Sequence, residues 1–135
     1  RNTKLVIPDF CEAIRKGLHT SFPELPIFGI ERVMILRTGN LGTYWHSDEF
    51  GRNTAINIGL LNSNTSITRF SESQTIENAN DRVYDFTCAD NQAYLLDTSR
   101  LHKVVAQGFQ GFRYLASVSF SEPFANLSKK VHVTC

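Results

Sequence analysis

QAYLLDTSRLHKVVAQGFQGFRYLASVSF, residues 92–120, holds three short apolar runs parted by two turn signals. AYLL, HKVVA and RYLASVSF are rich in β-branched, aromatic and aliphatic side chains, at lengths that suit strands rather than helices. DTSR (97–100) divides the first two runs and GFQG (108–111) the last two, and both have the composition of turns. A connection that short joins antiparallel strands, because a parallel pair needs a crossover of a dozen or more residues.

The same texture extends upstream. IERVMILRT (30–38), RNTAINIGLL (52–61), SITRF (66–70) and RVYDFT (82–87) bring the count to seven strand-like runs, separated by clusters of Gly, Asn, Ser and Asp. Seven short strands without an intervening helix predict a sandwich or barrel of antiparallel pairs, and exclude a βαβ sheet. One helix is expected before them, over PDFCEAIRKGL (8–18), where Phe10, Ile14 and Leu18 recur every four residues, Asp9 can cap the start and Gly17 lies near the end. The polar stretch ESQTIENAND (72–81) reads equally as a loop over a barrel mouth or as a passive connector.

The chain is 135 residues long and 41% hydrophobic, enough for one core, so residues 1–135 are expected to form a single domain. Fourteen Lys and Arg against thirteen Asp and Glu give a net charge of +1, without the positive field that nucleic-acid or anionic-membrane binding usually leaves. No run approaches the roughly 20 apolar residues of a membrane span. Cys11, Cys88 and Cys135 are an odd set, far apart and without a C-x-x-C pair, which favours a reducing, cytoplasmic setting.

The chemistry concentrates at His46-Ser47-Asp48, in RTGNLGTYWHSDEF (37–50). On an extended strand, residues i and i+2 face the same side about 6.6 Å apart at Cα, so both side chains can reach one metal ion. An H-x-D pair alone is weak; His102, opening a strand behind a turn and flanked by Leu101 and Val104, supplies a third ligand. Two imidazoles and one carboxylate form the facial set that holds non-haem Fe(II) with positions open, although Zn(II) accepts the same ligands. Eleven residues after His102, beyond the Gly108–Gly111 turn, Arg113 falls on the neighbouring strand. Facing inward it would need an anionic partner, and a ligand carboxylate is one; facing outward it is an edge-strand arginine in water. Tyr44, Trp45, Arg37, Asn57 and Thr68 lie on or near flanking strands. Parity puts Tyr44 on the face of His46 and Asp48, and Tyr44 and Asn57 are carried forward as cofactor-binding candidates. His19 and His132 have no partner at a metal-ligand spacing.

In order and spacing, His46, Asp48, His102 and Arg113 resemble the signature of the Fe(II)/2-oxoglutarate-dependent oxygenase superfamily. RTGNLGTYWHSDEF, AINIGLLNSNTSITRF and the closing pair of strands resemble its prolyl-hydroxylase-like branch over about residues 30 to 121. NSNTSITRF departs from that branch, which has a Gly-Gly before the corresponding strand. The resemblance implies an all-β fold with a short N-terminal helix, built on a double-stranded β-helix (jelly-roll, cupin-like) core. It implies Fe(II) on His46, Asp48 and His102, and 2-oxoglutarate as cosubstrate with its far carboxylate on Arg113. The implied reaction takes O2, yields succinate and CO2, and hydroxylates a C–H bond, with a peptidyl residue such as proline as the expected substrate.

Two other readings compete. A nucleic-acid demethylase of the same chemistry typically carries a second Arg six residues after the first, where this chain has Ser119. A non-catalytic jelly roll would use the triad to hold a metal, or would carry H-x-D by chance and serve a structural role.

Overall fold

In the computed structural model, which describes residues 3–24, 30–39, 42–48 and 52–130, each of the seven strand-like runs is a strand. The elements are β1 (Thr3–Leu5), α1 (Pro8–Ser21), β2 (Ile30–Thr38), β3 (Thr54–Leu61), β4 (Ser66–Ser71), β5 (Val83–Phe86), β6 (Ala93–Leu96), β7 (His102–Ala106), β8 (Arg113–Phe120) and α2 (Phe124–Leu127). They form a five-stranded sheet in the order β1-β2-β8-β3-β6 and a three-stranded sheet in the order β5-β4-β7, with every strand pair antiparallel.

Residues 43–48 lie between β2 and β3 in the chain but beside β7 in space. The His46 amide donates to the His102 carbonyl at 3.0 Å, the reverse bond is 2.8 Å, and the Thr43 amide donates to the Val104 carbonyl at 2.9 Å. From β2 onward the chain therefore passes to the second sheet, back through β3, across through β4 and β5, back through β6, and across again at β7 before closing at β8. Two glycines permit the close crossings. A Cβ at Gly42 would stand 2.7 Å from the Val104 carbonyl oxygen, and one at Gly59 would stand 2.2 Å from that of Ala89.

Strand parity divides the large sheet into two faces. Val33, Ile56, Val118 and Phe120 pack with Cys11 and Leu18 of α1 and Leu127 of α2, forming the apolar core outside the sheet. The alternate residues, Met34, Leu36 and Thr38 of β2, Ala55 and Asn57 of β3, and Arg113, Leu115, Ser117 and Ser119 of β8, face a cavity between the sheets. One face of the sheet thus packs against the helices, while the cavity face mixes buried apolar residues, Met34, Ala55 and Leu115, with polar ones.

The helix runs to Ser21, past the expected end at Leu18, because Leu18 is anchored in the core and Gly17 tolerates a helical interior position. Its N-cap is Ile7, with Pro8 at the first helical position, so Asp9 lies in the first turn instead of capping it. The 72–81 segment is pinned: it contains a 3-10 turn (Ile76–Asn78), buries Ala79, and is tied by Ser71 Oγ donating to the Ala79 carbonyl (2.7 Å) and Trp45 Nε1 donating to Asn80 Oδ1 (3.3 Å). Among the described residues no helix is long and apolar enough to cross a membrane. His132 and Cys135 lie outside the described residues.

Candidate metal centre

His46, Asp48 and His102 converge, with one ligand atom of each lying within 4.8 Å of the others. Asp48 Oδ1 is 3.8 Å from His46 Nε2 and 3.6 Å from His102 Nε2, and the two imidazole centroids are 4.4 Å apart. The paired backbone bonds between residues 46 and 102 produce this meeting, because they set the two histidines directly opposite on neighbouring extended segments.

Backbone carbonyls fix the orientation of both rings. His46 Nδ1 lies 2.8 Å from the Tyr44 oxygen and His102 Nδ1 lies 2.7 Å from the Arg100 oxygen. A carbonyl only accepts, so each Nδ1 carries a hydrogen and each Nε2 is directed toward Asp48. Burial acts to raise the Asp48 carboxyl, but the His102 imidazole, with smaller contributions from Arg52 and His46, outweighs it and holds the group below the usual carboxylate range. The donor set of two neutral nitrogens and one carboxylate fits Fe(II) or a similar divalent ion. His102 is buried against Phe70, whose ring centroid is 5.4 Å away, whereas the His46 side chain is 44% exposed, so the centre opens to solvent on the His46 side.

Behind the centre lies a cavity of about 310 Å³, lined by both sheets. Arg113 projects into it and is only 4% exposed. Its Nε donates to Thr38 Oγ1 at 3.0 Å, while Nη1 has no hydrogen-bond partner among the described residues. Burial pulls the Arg113 guanidinium below its ordinary value, opposed by the nearby Cys88, and burial likewise pushes the Cys88 thiol up. Asn57 also lines the cavity, with Oδ1 buried and unpartnered among the described residues. A buried cationic donor without an acceptor is costly by itself, and a carboxylate would satisfy it.

The expectation for Tyr44 does not hold. Its side chain is 93% exposed and it is not among the residues lining the cavity. Parity holds from His46 to Asp48 but fails before His46, where the segment makes a single bridge and the preceding inward residue is Thr43, three positions back instead of two. Of the lesser candidates, Thr68 lines the cavity, while Trp45 lies under Lys103 Nζ at 4.9 Å and Arg37 stacks on Phe112 at 4.5 Å. Sequence reasoning missed Lys4, Thr38, Thr98, Ser117 and Ser119, all of which line the cavity. The two serines were within reach, since 113, 115, 117 and 119 share one face of β8.

No protein-family model and no curated protein sequence matches the chain. Solved structures do. The ribosomal oxygenase YcfD of Escherichia coli superposes with a TM-score of 0.59 at 16% identity over 90% of this chain and 32% of its own. The same oxygenase in complex with cobalt and succinic acid gives 0.55 at 17% identity, covering 81% of this chain and 28% of that one. Oxalate oxidase in complex with glycolate gives 0.51 at 11% identity over 91% of this chain and 52% of that one.

The chain has a cupin-like jelly-roll fold. The chain spans about a third of the length of the oxygenase and about half of that of the oxidase. At these identities the likeness carries the architecture, and the branch resembling prolyl hydroxylases is not singled out by it.

Proposed function

We propose that the chain is an Fe(II)- and 2-oxoglutarate-dependent oxygenase that hydroxylates a C–H bond. The observation that carries this reading is the pairing of an open two-histidine, one-carboxylate centre with a buried, partly unsatisfied arginine in the same cavity. His46, Asp48 and His102 would hold the metal, and Arg113, with Thr38 fixing its guanidinium, would hold the far carboxylate of 2-oxoglutarate. With both bound, oxidation of the C–H bond is supplied by metal chemistry coupled to conversion of 2-oxoglutarate and O2 to succinate and CO2.

The chain's own residues position and exclude. The Tyr44 and Arg100 carbonyls hold the imidazoles in the ligating tautomer. Met34, Leu36, Leu96, Val104 and Leu115 give the cavity apolar walls that keep water from the cosubstrate. Asn57, Ser117 and Thr68 offer hydrogen bonds between its two ends. The succinate held by the cobalt-loaded oxygenase of the same fold is the product that this reaction would release. The opening on the His46 side supports a substrate that reaches the metal from outside, such as a peptidyl proline. Purified protein given Fe(II), 2-oxoglutarate, O2 and a peptide panel should form succinate and a hydroxylated peptide. Turnover that persists unchanged in His46→Ala would refute the assignment.

A further inference from the structure

We propose that Lys4 is a second cation for the far carboxylate of 2-oxoglutarate, acting together with Arg113. This deepens the oxygenase reading and rests on it. Lys4 belongs to β1, an edge strand, yet it lines the cavity. Its register explains why: Lys4 is paired with Leu36, and residues opposite one another on antiparallel strands project to the same face, which for Leu36 is the cavity face. Arg113 is paired with Thr38 on the other side of β2, two residues farther along. Two strand spacings and a two-residue offset put the Lys4 and Arg113 Cα atoms about 12 Å apart. Two long side chains leaning toward each other across that span can bracket one carboxylate.

The charges inside the cavity point the same way. Among the described residues lining it, Lys4 and Arg113 are cations without a carboxylate partner, and the one carboxylate, Asp48, is engaged by two histidines. Lys4 makes no ion pair among the described residues. A dicarboxylate entering this end would meet a buried guanidinium and an exposed ammonium at the cavity margin, so Lys4 would select for the second carboxylate without holding the oxo-acid end. The competing role for a lysine at this position is to deter pairing of the exposed sheet edge with another chain.

The test uses the full chain loaded with Co(II) without O2, and calorimetric titration of 2-oxoglutarate and of pyruvate, which lacks the far carboxylate. Lys4→Met should weaken 2-oxoglutarate roughly three- to fivefold and flatten its salt dependence, while leaving pyruvate unchanged. Lys4→Gln should behave like Lys4→Met, and Lys4→Arg should stay within about twofold of the parent protein. Unchanged 2-oxoglutarate affinity in both neutral variants, or an equal loss for both acids, would overturn the proposal and leave Lys4 as an edge guard. A parent protein that binds metal but no 2-oxoglutarate would overturn the oxygenase reading itself, and this proposal with it.

Discussion

Replacing Arg113 with methionine should make the ligand-free protein more stable while removing its response to 2-oxoglutarate. The guanidinium is 4% exposed, has one side-chain partner, Thr38 Oγ1, and leaves Nη1 unpaired among the described residues. Methionine replaces the aliphatic stem up to the position of Nε and carries no charge to desolvate. Losing the bond to Thr38 costs about 1 kcal/mol, whereas replacing an incompletely compensated buried charge with an apolar side chain stabilises by about 1–4 kcal/mol. The net gain should be about 0–3 kcal/mol, a rise in melting temperature of up to about 9 °C for a chain of this size. Saturating 2-oxoglutarate with Co(II) should then stabilise the parent protein by about 2.7 kcal/mol at a hundred times its Kd, and the variant by almost nothing. Thermal and urea unfolding with and without ligand measure both quantities. A variant less stable than the parent in the absence of ligand, or one retaining the full ligand-induced shift, would refute the reasoning, because Arg113 would then be compensated inside the fold.

Other consequences follow from the same geometry. Gly59→Ala would force a Cβ to within 2.2 Å of the Ala89 carbonyl oxygen, a backbone atom that cannot rotate away, and should destabilise by about 1–3 kcal/mol in urea unfolding. His102→Ala should weaken Co(II) binding by more than the roughly 10–100-fold that loss of an outer hydrogen-bond partner costs, as read by equilibrium dialysis. The Asp48 carboxyl lies below its ordinary value, so its stabilising contribution is complete above the unfolded value of about 3.9 and is lost as pH falls through the lower folded value. In metal-free protein the stability of the parent relative to Asp48→Asn should therefore shrink between pH 7 and strongly acidic conditions. A pH-independent difference would contradict the assigned shift.

Most of the architecture was legible because strand signals are local: β-branched and aromatic runs, broken by turn residues, mark β2 to β8 without reference to the rest of the chain. The meeting of His46, Asp48 and His102 was legible for a related reason, since two ligands share one extended segment and the third opens a strand behind a turn. Loop length misplaced Arg113: the 108–111 turn was expected to join a hydrogen-bonded pair, but β7 pairs with β4 in the three-stranded sheet and β8 with β2 and β3 in the five-stranded one, so Arg113 and His102 share the cavity from opposite sheets. Its burial was not legible either, because an edge-strand arginine and an inward arginine read alike until the sheet order is known. Lys4 was illegible: a three-residue strand carries no periodicity, and its inward direction arises only from pairing with Leu36. Tyr44 was misplaced because parity assumes continuous extension, whereas residues 43–48 are irregular apart from their bridge to β7. The helix end expected at Leu18 failed through tertiary packing of Leu18, which outweighs the modest helix penalty of Gly17 and lets the helix run on to Ser21.

The most direct test of the central claim is an anaerobic titration of the purified protein with Fe(II) and then 2-oxoglutarate, followed in the visible range. The account predicts a charge-transfer band that saturates at one equivalent of each, is absent from His46→Ala and Asp48→Asn, and in Arg113→Met requires far more 2-oxoglutarate. A folded protein that takes up Fe(II) yet develops no band with 2-oxoglutarate would contradict it, and would leave a jelly roll that binds metal without this cosubstrate.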